Sequence, residues 1–169
     1  MAGFDVNKLS TGDQVIGVSG VALFIFSFFS WLGAKVDLGS GREASDAKSG
    51  WGFTLTLIAI LIGIALVAYV ALKASDVKLP ELGSITWAQL VLGLAAVAFL
   101  FVLIKLIAGP HLESGLSDVG VEKTRKIGIF LGLIATGGLV GGAYLNFQAE
   151  RAGGGSRPTP PPPPGPPTA

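Results

Sequence analysis

The sequence predicts an all-α integral membrane protein: an antiparallel bundle of four transmembrane helices followed by a disordered, proline-rich C-terminal tail. Three observations lead to this fold class. Half of the 169 residues are hydrophobic, only 14% are charged, and four apolar runs alternate with three charged connections. A soluble domain carries roughly a quarter of its residues as charged side chains, so this composition indicates a chain whose main solvent is lipid.

The clearest apolar run is residues 53–72, which hold no charged residue over twenty positions. A helix of that length is roughly 30 Å long, which matches the hydrocarbon core of a bilayer. A core helix of a soluble protein would need a polar face, whereas here Thr54, Thr56 and Tyr69 all lie close to an end of the run. We therefore predict a membrane span.

The first apolar run, residues 15–32, follows a short polar segment formed by residues 1–14. Ser10 precedes Asp13 at capping-box spacing, which predicts that a helix starts near Gly12. The polar segment has no cationic region, and no A-x-A cleavage site follows the run. We therefore interpret this run as a retained span rather than as a cleaved signal peptide.

Residues 87–108 and 127–147 are the third and fourth predicted spans, so the membrane domain covers residues 15–147. The connection at residues 33–51 is rich in glycine and serine, which predicts a flexible loop. Residues 148–169 change to glycine and then to proline, a composition that forms neither helix nor sheet. We predict that this tail stays disordered unless a partner binds it.

Side chains that prefer the membrane–water interface lie near the ends of the predicted spans, which supports the four-span arrangement. The only charged residue inside a predicted span is Lys105. It lies about one turn from the end of the span, so its long side chain can extend to the interface. The predicted interface anchors are Trp31, Trp51, Trp87, Lys105 and Tyr144.

The fourth span is distinguished by glycines spaced four residues apart, which form a groove that lets a second helix approach closely. Two interpretations remain open. The groove packs against this chain's own helices, for example against Ala59 and Gly63, or it is the contact face of a homo-oligomer or of a larger membrane complex. The glycines concerned are Gly128, Gly132, Gly137, Gly138, Gly141 and Gly142.

The sequence contains no recognised motif for a cofactor, a metal or a catalytic centre. There is no cysteine, no phosphate-binding glycine loop, and His111 stands without a cluster of metal ligands around it. The net charge of +1 provides no basic face for nucleic acid. We predict no catalytic residue, no cofactor, no metal and no nucleic-acid partner; the lipid bilayer is the expected environment.

Three classes of function remain open. The first is a non-enzymatic accessory or scaffold subunit of a membrane or cell-envelope complex, because the glycine-lined span and the proline run, a ligand type of aromatic grooves, are both interaction features. The alternative is a small transporter or channel subunit, for which Thr136-Gly137-Gly138 is the candidate helix break. The third is a membrane-embedded enzyme on lipids, whose candidate acidic residues are Asp37, Glu43, Asp46, Glu113 and Asp118.

Four spans place both termini on one side of the plasma (inner) membrane. Five Lys and Arg residues lie on the terminal side and seven on the other, so the positive-inside rule favours termini outside the cytoplasm. Small bacterial-type proteins with an even number of spans generally keep both ends in the cytoplasm, and a disordered tail without an export signal stays there readily. We predict cytoplasmic termini, against the charge count.

Residues 9–33, LSTGDQVIGVSGVALFIFSFFSWLG, combine a short polar lead-in with a first span that ends in an aromatic F-x-x-W sequence. The pattern resembles the opening of a group of small uncharacterised four-span membrane proteins of actinobacteria. The resemblance implies a plasma-membrane location and a proline- and glycine-rich cytoplasmic tail. It implies no known activity and therefore no functional residues. The residues that carry it are Leu9, Ser10, Asp13, Phe28 and Trp31.

Overall fold

The described part of the protein is mostly helical, with four α-helices that pack side by side. The structure, a computed structural model, describes residues 9–37, 43–75, 85–108 and 121–153, together with residues 77, 80 and 83. The helices are α1 (Thr11–Phe26), α2 (Thr54–Ala74), α3 (Trp87–Ala108) and α4 (Ile127–Gly153), and a 3-10 turn (Gly50–Gly52) precedes α2.

Each helix contacts two others: α1 packs against α2 and α4, and α3 packs against the same two helices. The contacts of α1 with α4 join opposite ends. Gly12 at the start of α1 meets Gly142 near the end of α4, and Trp31, which follows α1, meets Gly128 at the start of α4. Contacts between α1 and α2 pair opposite ends in the same way. Neighbouring helices therefore run antiparallel.

Three of the helices, α2, α3 and α4, are long and apolar enough to cross a membrane, whereas α1 is a shorter apolar helix of 16 residues. Helix α3 coincides with the predicted run at residues 87–108, and α2 closely follows the run at residues 53–72. Helix α4 begins where predicted but continues to Gly153. The prediction that disorder starts at residue 148 is therefore wrong for the first part of the tail, and residues 154–169 lie outside the described residues.

Helix α1 ends before the predicted limit of the first span, residues 15–32. It stops at Phe26, where tighter i to i+3 backbone bonds and two side chains, in place of further α-helical turns, satisfy its last carbonyl groups. The Ser27 hydroxyl donates to the carbonyl oxygen of Phe24 at 2.5 Å, and the Trp31 indole donates to that of Phe26 at 2.9 Å. The expectation of one continuous helix over residues 15–32 is wrong for its final residues, which form a turn and the beginning of a strand.

The start of α1 follows the predicted capping box. The Ser10 hydroxyl accepts a hydrogen bond from the backbone N–H of Asp13 at 3.0 Å, and the Asp13 carboxylate accepts one from the backbone N–H of Ser10 at 3.2 Å. Two of the N–H groups at the helix start are thus satisfied reciprocally, and the helix begins at Thr11. The prediction of a start near Gly12 is confirmed.

A small antiparallel sheet, absent from the all-α prediction, connects the helices at one end. Its strands are β1 (Ser30–Asp37), β2 (Glu43–Ser49) and β3 (Val121–Arg125), in the order β2-β1-β3. Strand β1 pairs on both sides, so that Gly33 stands opposite Ala47 on one neighbour and Thr124 on the other. The expectation of a flexible loop over residues 33–51 is therefore wrong for the described residues of this segment, which form the paired strands and the 3-10 turn, because β1 also finds ladder partners in β3.

Trp31 holds the sheet against the helices and is fully buried. A methyl group added at Gly128 or Gly132 would come within 2.7 Å and 2.5 Å of its indole ring, so both glycines make room for this side chain. The backbone N–H of Lys126 donates to the Trp31 carbonyl at 3.0 Å, which ties the start of α4 to β1. The prediction that Trp31 anchors the chain at a membrane interface is wrong, because its ring packs inside the protein.

Lys105 also differs from its predicted placement at an interface. Its side chain is fully buried, and its ammonium nitrogen lies 4.1 Å from the centre of the Phe53 ring, a cation–π distance. Phe53 is the N-cap residue of α2, and the antiparallel course of α3 brings Lys105 beside it. The ammonium group is therefore enclosed by protein instead of extending to water.

Candidate functional site

A polar cluster around one buried carboxylate joins three helices at the end of the protein where α1 begins. Ser10 and Asp13 contribute from the start of α1, Lys73 from the last turn of α2, and Asn146 from the C-terminal half of α4. Asp13 is fully buried, although a carboxylate is almost never fully buried without partners. The antiparallel packing creates the cluster, because it places these chain ends side by side.

Each oxygen of the Asp13 carboxylate has a partner from another helix. The ammonium nitrogen of Lys73 lies 2.6 Å from Asp13 Oδ2, and the Asn146 amide donates to Asp13 Oδ1 at 2.8 Å. The Ser10 hydroxyl lies 2.5 Å from Asn146 Oδ1 and 2.8 Å from Asp13 Oδ2, and it can donate its proton to one of them at a time. Helices α1, α2 and α4 are thereby linked through one carboxylate.

The same contacts set the ionisation of Asp13, which lies in the first turn of α1 ahead of its apolar residues. Burial alone would raise the pKa of this carboxyl group, but the hydrogen bonds from Lys73 and Ser10 and the positive charge of Lys73 outweigh it. The net result is a pKa below the ordinary value of 3.8. Asp13 is therefore an anion at neutral pH, and the cluster is an ion pair.

A depression of about 580 Å³ opens beside this cluster. Its wall includes the rings of Tyr69 and Trp87, which stack with centroids 5.5 Å apart and an interplanar angle of 22°. The Lys73 side chain is 39% exposed, so the ion pair is closed on its Asp13 side and open on the other. The polar and aromatic residues that line the depression are Ser10, Tyr69, Lys73, Thr86, Trp87, Asn146 and Glu150.

The six glycines that the sequence predicts to form a groove on α4 fall into two groups. The first group packs inside this chain against α1 and β1 and not against Ala59 and Gly63 of α2: Gly128 and Gly132 lie against Trp31, Gly138 against Ser19, and Gly142 against Gly12 and Ile16. The second group is less enclosed, and of its two members only Gly141 is exposed. A methyl group at Gly137 would meet only the Phe99 ring, at 3.8 Å, and one at Gly141 would meet nothing within 4 Å.

The other predicted interface anchors lie near the surface. Trp51 is half-buried, packs edge-to-face on Phe24, and donates its indole N–H to the Ser27 hydroxyl at 2.8 Å. Trp87 is half-buried in the stacked pair with Tyr69, and Tyr144 is 51% exposed. Aromatic side chains are thus present at both ends of the helices, as in proteins that sit between two membrane interfaces.

The candidate helix break at Thr136-Gly137-Gly138 does not form. Helix α4 runs without interruption through these residues, and the Thr136 hydroxyl donates to the carbonyl oxygen of Gly132 at 2.9 Å. This hydroxyl bonds the preceding turn of its own helix, which is the usual partner of a buried threonine in an apolar helix. The feature on which the transport alternative was based is therefore absent from α4.

The structure describes only some of the acidic residues that were candidates for a membrane-embedded enzyme. The register of β1 and β2 sets Asp37 opposite Glu43, while Glu113 and Asp118 lie outside the described residues, as do His111 and the proline run of the tail. Within the described ranges, no three His, Cys, Asp or Glu side chains form a cluster that could hold a metal.

Sequence reasoning missed the polar cluster, because it assigned Asp13 to a capping box and to the pattern of the first span but to no contact with another helix. Asp13 and Lys73 are 60 positions apart, and Asn146 follows Asp13 by 133 positions. The sequence contains one signal of the cluster, since a charged residue or an amide lies at the end of each of three apolar runs. Comparison of the chain with models of known protein families finds no match, and comparison with curated proteins likewise finds none.

Proposed function

We propose that the protein is a polytopic protein of the plasma (inner) membrane, in which all four helices cross the bilayer as an antiparallel bundle with both termini in the cytoplasm. Its proposed role is that of a non-enzymatic accessory or scaffold subunit of a membrane or cell-envelope complex. The observation that carries the proposal is the distribution of side chains: large apolar residues cover the outer faces of the helices, while charged Asp13 and Lys105 are inside.

The outward apolar residues belong to every helix. Val18 of α1 is 72% exposed, Ile107 of α3 is 70% exposed and Ile134 of α4 is 71% exposed. In α2, Leu61 is 51% exposed. Single exposed hydrophobic residues are normal on soluble proteins, but a continuous apolar surface around a whole helical layer is an aggregation liability in water. Lipid chains would cover it without cost.

The short α1 is compatible with a membrane crossing. Sixteen helical residues give about 24 Å, a few ångströms less than the roughly 30 Å of a hydrocarbon core. The exposed side chains of Phe28 and Phe29 continue the apolar surface beyond the helix end. A bilayer adapts to such a mismatch by local thinning at modest cost, so α1 can cross beside its three longer neighbours.

The scaffold role is supported by the outer face of α4. Gly141 has open space beside it, Gly137 is four residues earlier, and Ile134 and Tyr144 flank them on the exposed side. A helix from another subunit can approach the backbone closely at such a pair, because dispersion contacts rather than a hydrophobic force drive helix association in lipid.

Photo-crosslinking in native membranes tests this role. The chain has no cysteine, so a single cysteine at Gly141 can carry a benzophenone probe, and a matched one at Leu61 places the same probe on the outer face of α2. We expect one dominant protein adduct from Gly141→Cys and only lipid adducts from Leu61→Cys. The same adducts from both positions, or none from Gly141→Cys, would count against a docking face on α4.

A further inference from the structure

The residues that line the depression beside the Asp13–Lys73 ion pair have no part in the proposed scaffold role. We propose that it binds the headgroup of phosphatidylethanolamine, with the lipid ammonium group on Glu150 and the lipid phosphate on Lys73. The inference rests on the proposed membrane insertion, because its ligand is a membrane lipid. It adds to that proposal a specific lipid and the residues that recognise it.

The depression lies at the level where lipid headgroups are expected. It is formed where α2 ends and α3 begins, and its wall contains the stacked pair of Tyr69 and Trp87. Tyrosine and tryptophan prefer the membrane–water interface, because their rings are apolar and their N–H or O–H groups are polar. A ligand in this position can keep its acyl chains beside the apolar outer faces of the helices.

Lys73 supplies an ammonium group that is held by one contact and has further hydrogen-bond donors. Its ammonium group has three donors, and the 2.6 Å contact with Asp13 occupies one of them. The exposed 39% of the side chain faces the open side of the ion pair. Because Asp13 fixes the position of the ammonium group, a phosphate oxygen would meet a donor that is already oriented.

Glu150 determines which headgroup is favoured. It is exposed on α4 and lines the same depression, whereas the charge of Lys73 is already balanced by Asp13. The three charges therefore sum to −1, which disfavours an anionic lipid such as phosphatidylglycerol. A primary ammonium group can donate hydrogen bonds to the Glu150 carboxylate and lie against the Trp87 ring, whereas the trimethylated ammonium of phosphatidylcholine cannot make those hydrogen bonds.

The size of the depression agrees with this ligand. Its volume of about 580 Å³ lies within the 300–1,000 Å³ range that is typical of small-molecule sites. The wall offers positive charge, negative charge and aromatic surface within one concavity. A zwitterion, whose cation and anion are only a few bonds apart, is the ligand that uses all three.

Native mass spectrometry of the full-length protein in detergent tests the proposal. The protein is stripped of lipid and then offered phosphatidylethanolamine, phosphatidylcholine and phosphatidylglycerol in equal amounts. We expect wild type to retain phosphatidylethanolamine about tenfold over phosphatidylglycerol, the ratio that one charge-assisted hydrogen bond provides, with phosphatidylcholine between them. Free phosphorylethanolamine is added as a competitor, and binding of it as strong as that of the lipid would overturn the assignment to a lipid.

Glu150→Gln is the decisive variant, because Glu150 is exposed and its replacement leaves the ion pair intact. We expect it to lower phosphatidylethanolamine retention about tenfold and to raise phosphatidylglycerol retention, because the three positions then carry no net charge, with the same melting temperature as wild type. Arg151→Gln is the matched control: Arg151 is the next residue, lies over the Phe147 ring and does not line the depression. Its lipid profile should equal that of wild type.

Two results would overturn the lipid site: equal retention of the three lipids by wild type, or an unchanged profile in Glu150→Gln. Both are distinguishable from failure of the proposed function. A protein that leaves the membrane fraction under alkaline extraction contradicts membrane insertion itself. A protein that stays in that fraction and shows no phosphatidylethanolamine preference contradicts only the lipid site.

Discussion

Replacing Gly142 with isoleucine is expected to separate α1 from α4 and to destabilise the protein more than any change on its apolar outer surface. A Cβ atom at this position would lie 2.7 Å from the carbonyl oxygen of Gly12 and 2.9 Å from a side-chain carbon of Ile16. The carbonyl belongs to the helix backbone and cannot rotate away, so α1 as a whole must shift. We expect the free energy of unfolding to fall by about 3 kcal/mol, the upper end of overpacking costs.

Gly141→Ile provides the matched control, because it adds the same side chain one position away where nothing lies within 4 Å. Thermal unfolding of both variants in detergent is the measurement. Gly142→Ile should melt well below wild type, while Gly141→Ile should melt close to it. Equal melting temperatures for the two variants would contradict the close approach of α1 and α4.

Replacing Asp13 with alanine is expected to disconnect α2 and α4 from the start of α1. The change leaves the Lys73 ammonium and the Asn146 amide without the carboxylate that they both contact. Breaking a fully buried ion pair costs about 3–5 kcal/mol, and partial exposure of Lys73 reduces this figure, so we expect a loss of about 2–3 kcal/mol. Denaturant unfolding in mixed micelles measures it.

A double-mutant cycle separates the ion pair from the loss of the cap. Asp13→Asn with Lys73→Met should be less destabilised than the sum of the two single variants, since the second change removes the unpaired charge. Strict additivity would show that the 2.6 Å contact contributes no coupling to stability.

Acidification should weaken the same link. Because the pKa of Asp13 is lowered in the folded protein, the ion pair contributes its full stability above the ordinary value of 3.8 and loses it as the pH falls through the folded pKa. The unfolding free energy of wild type should therefore fall at a pH below about 4. In Asp13→Ala that part of the decline should be missing, and an identical acid profile would contradict the assignment.

The helices could be predicted from the sequence because long, continuously apolar helices leave a strong local signal. Residues 53–72 and 87–108 contain few polar side chains, and the structure forms helices there. The start of α1 was also readable, since Ser10 and Asp13 form a capping box within four residues of sequence. Both kinds of signal are local, so neither depends on how the chain folds back on itself.

The sheet could not be read in this way. Strand β2, with the sequence EASDAKS, has none of the β-branched or aromatic residues that mark a strand, and β3 lies more than 70 residues further along the chain. Its strands form because Trp31 inserts beneath Gly128 and Gly132 and carries β1 to the start of α4. The spacing of Gly128 and Gly132 is visible in the sequence, but their contact with Trp31 is not.

The polar cluster illustrates the same limit. Asp13 had a complete local explanation as a capping residue, which concealed its second role. Lys73 and Asn146 each looked like a polar residue at the end of an apolar run. Only the antiparallel packing of α1, α2 and α4 shows that they share one carboxylate.

The most direct test of the central claim, that four helices cross the bilayer, is labelling of single cysteines with a membrane-impermeant maleimide. The chain has no cysteine of its own, so every label is assigned. Before permeabilisation of the cells, cysteines at Ala47 and Arg125 should react; after it, cysteines at Thr11, Ile85 and Arg151 should react as well. Thr11 and Arg151 on opposite sides, or all five positions inaccessible until permeabilisation, would contradict four membrane crossings.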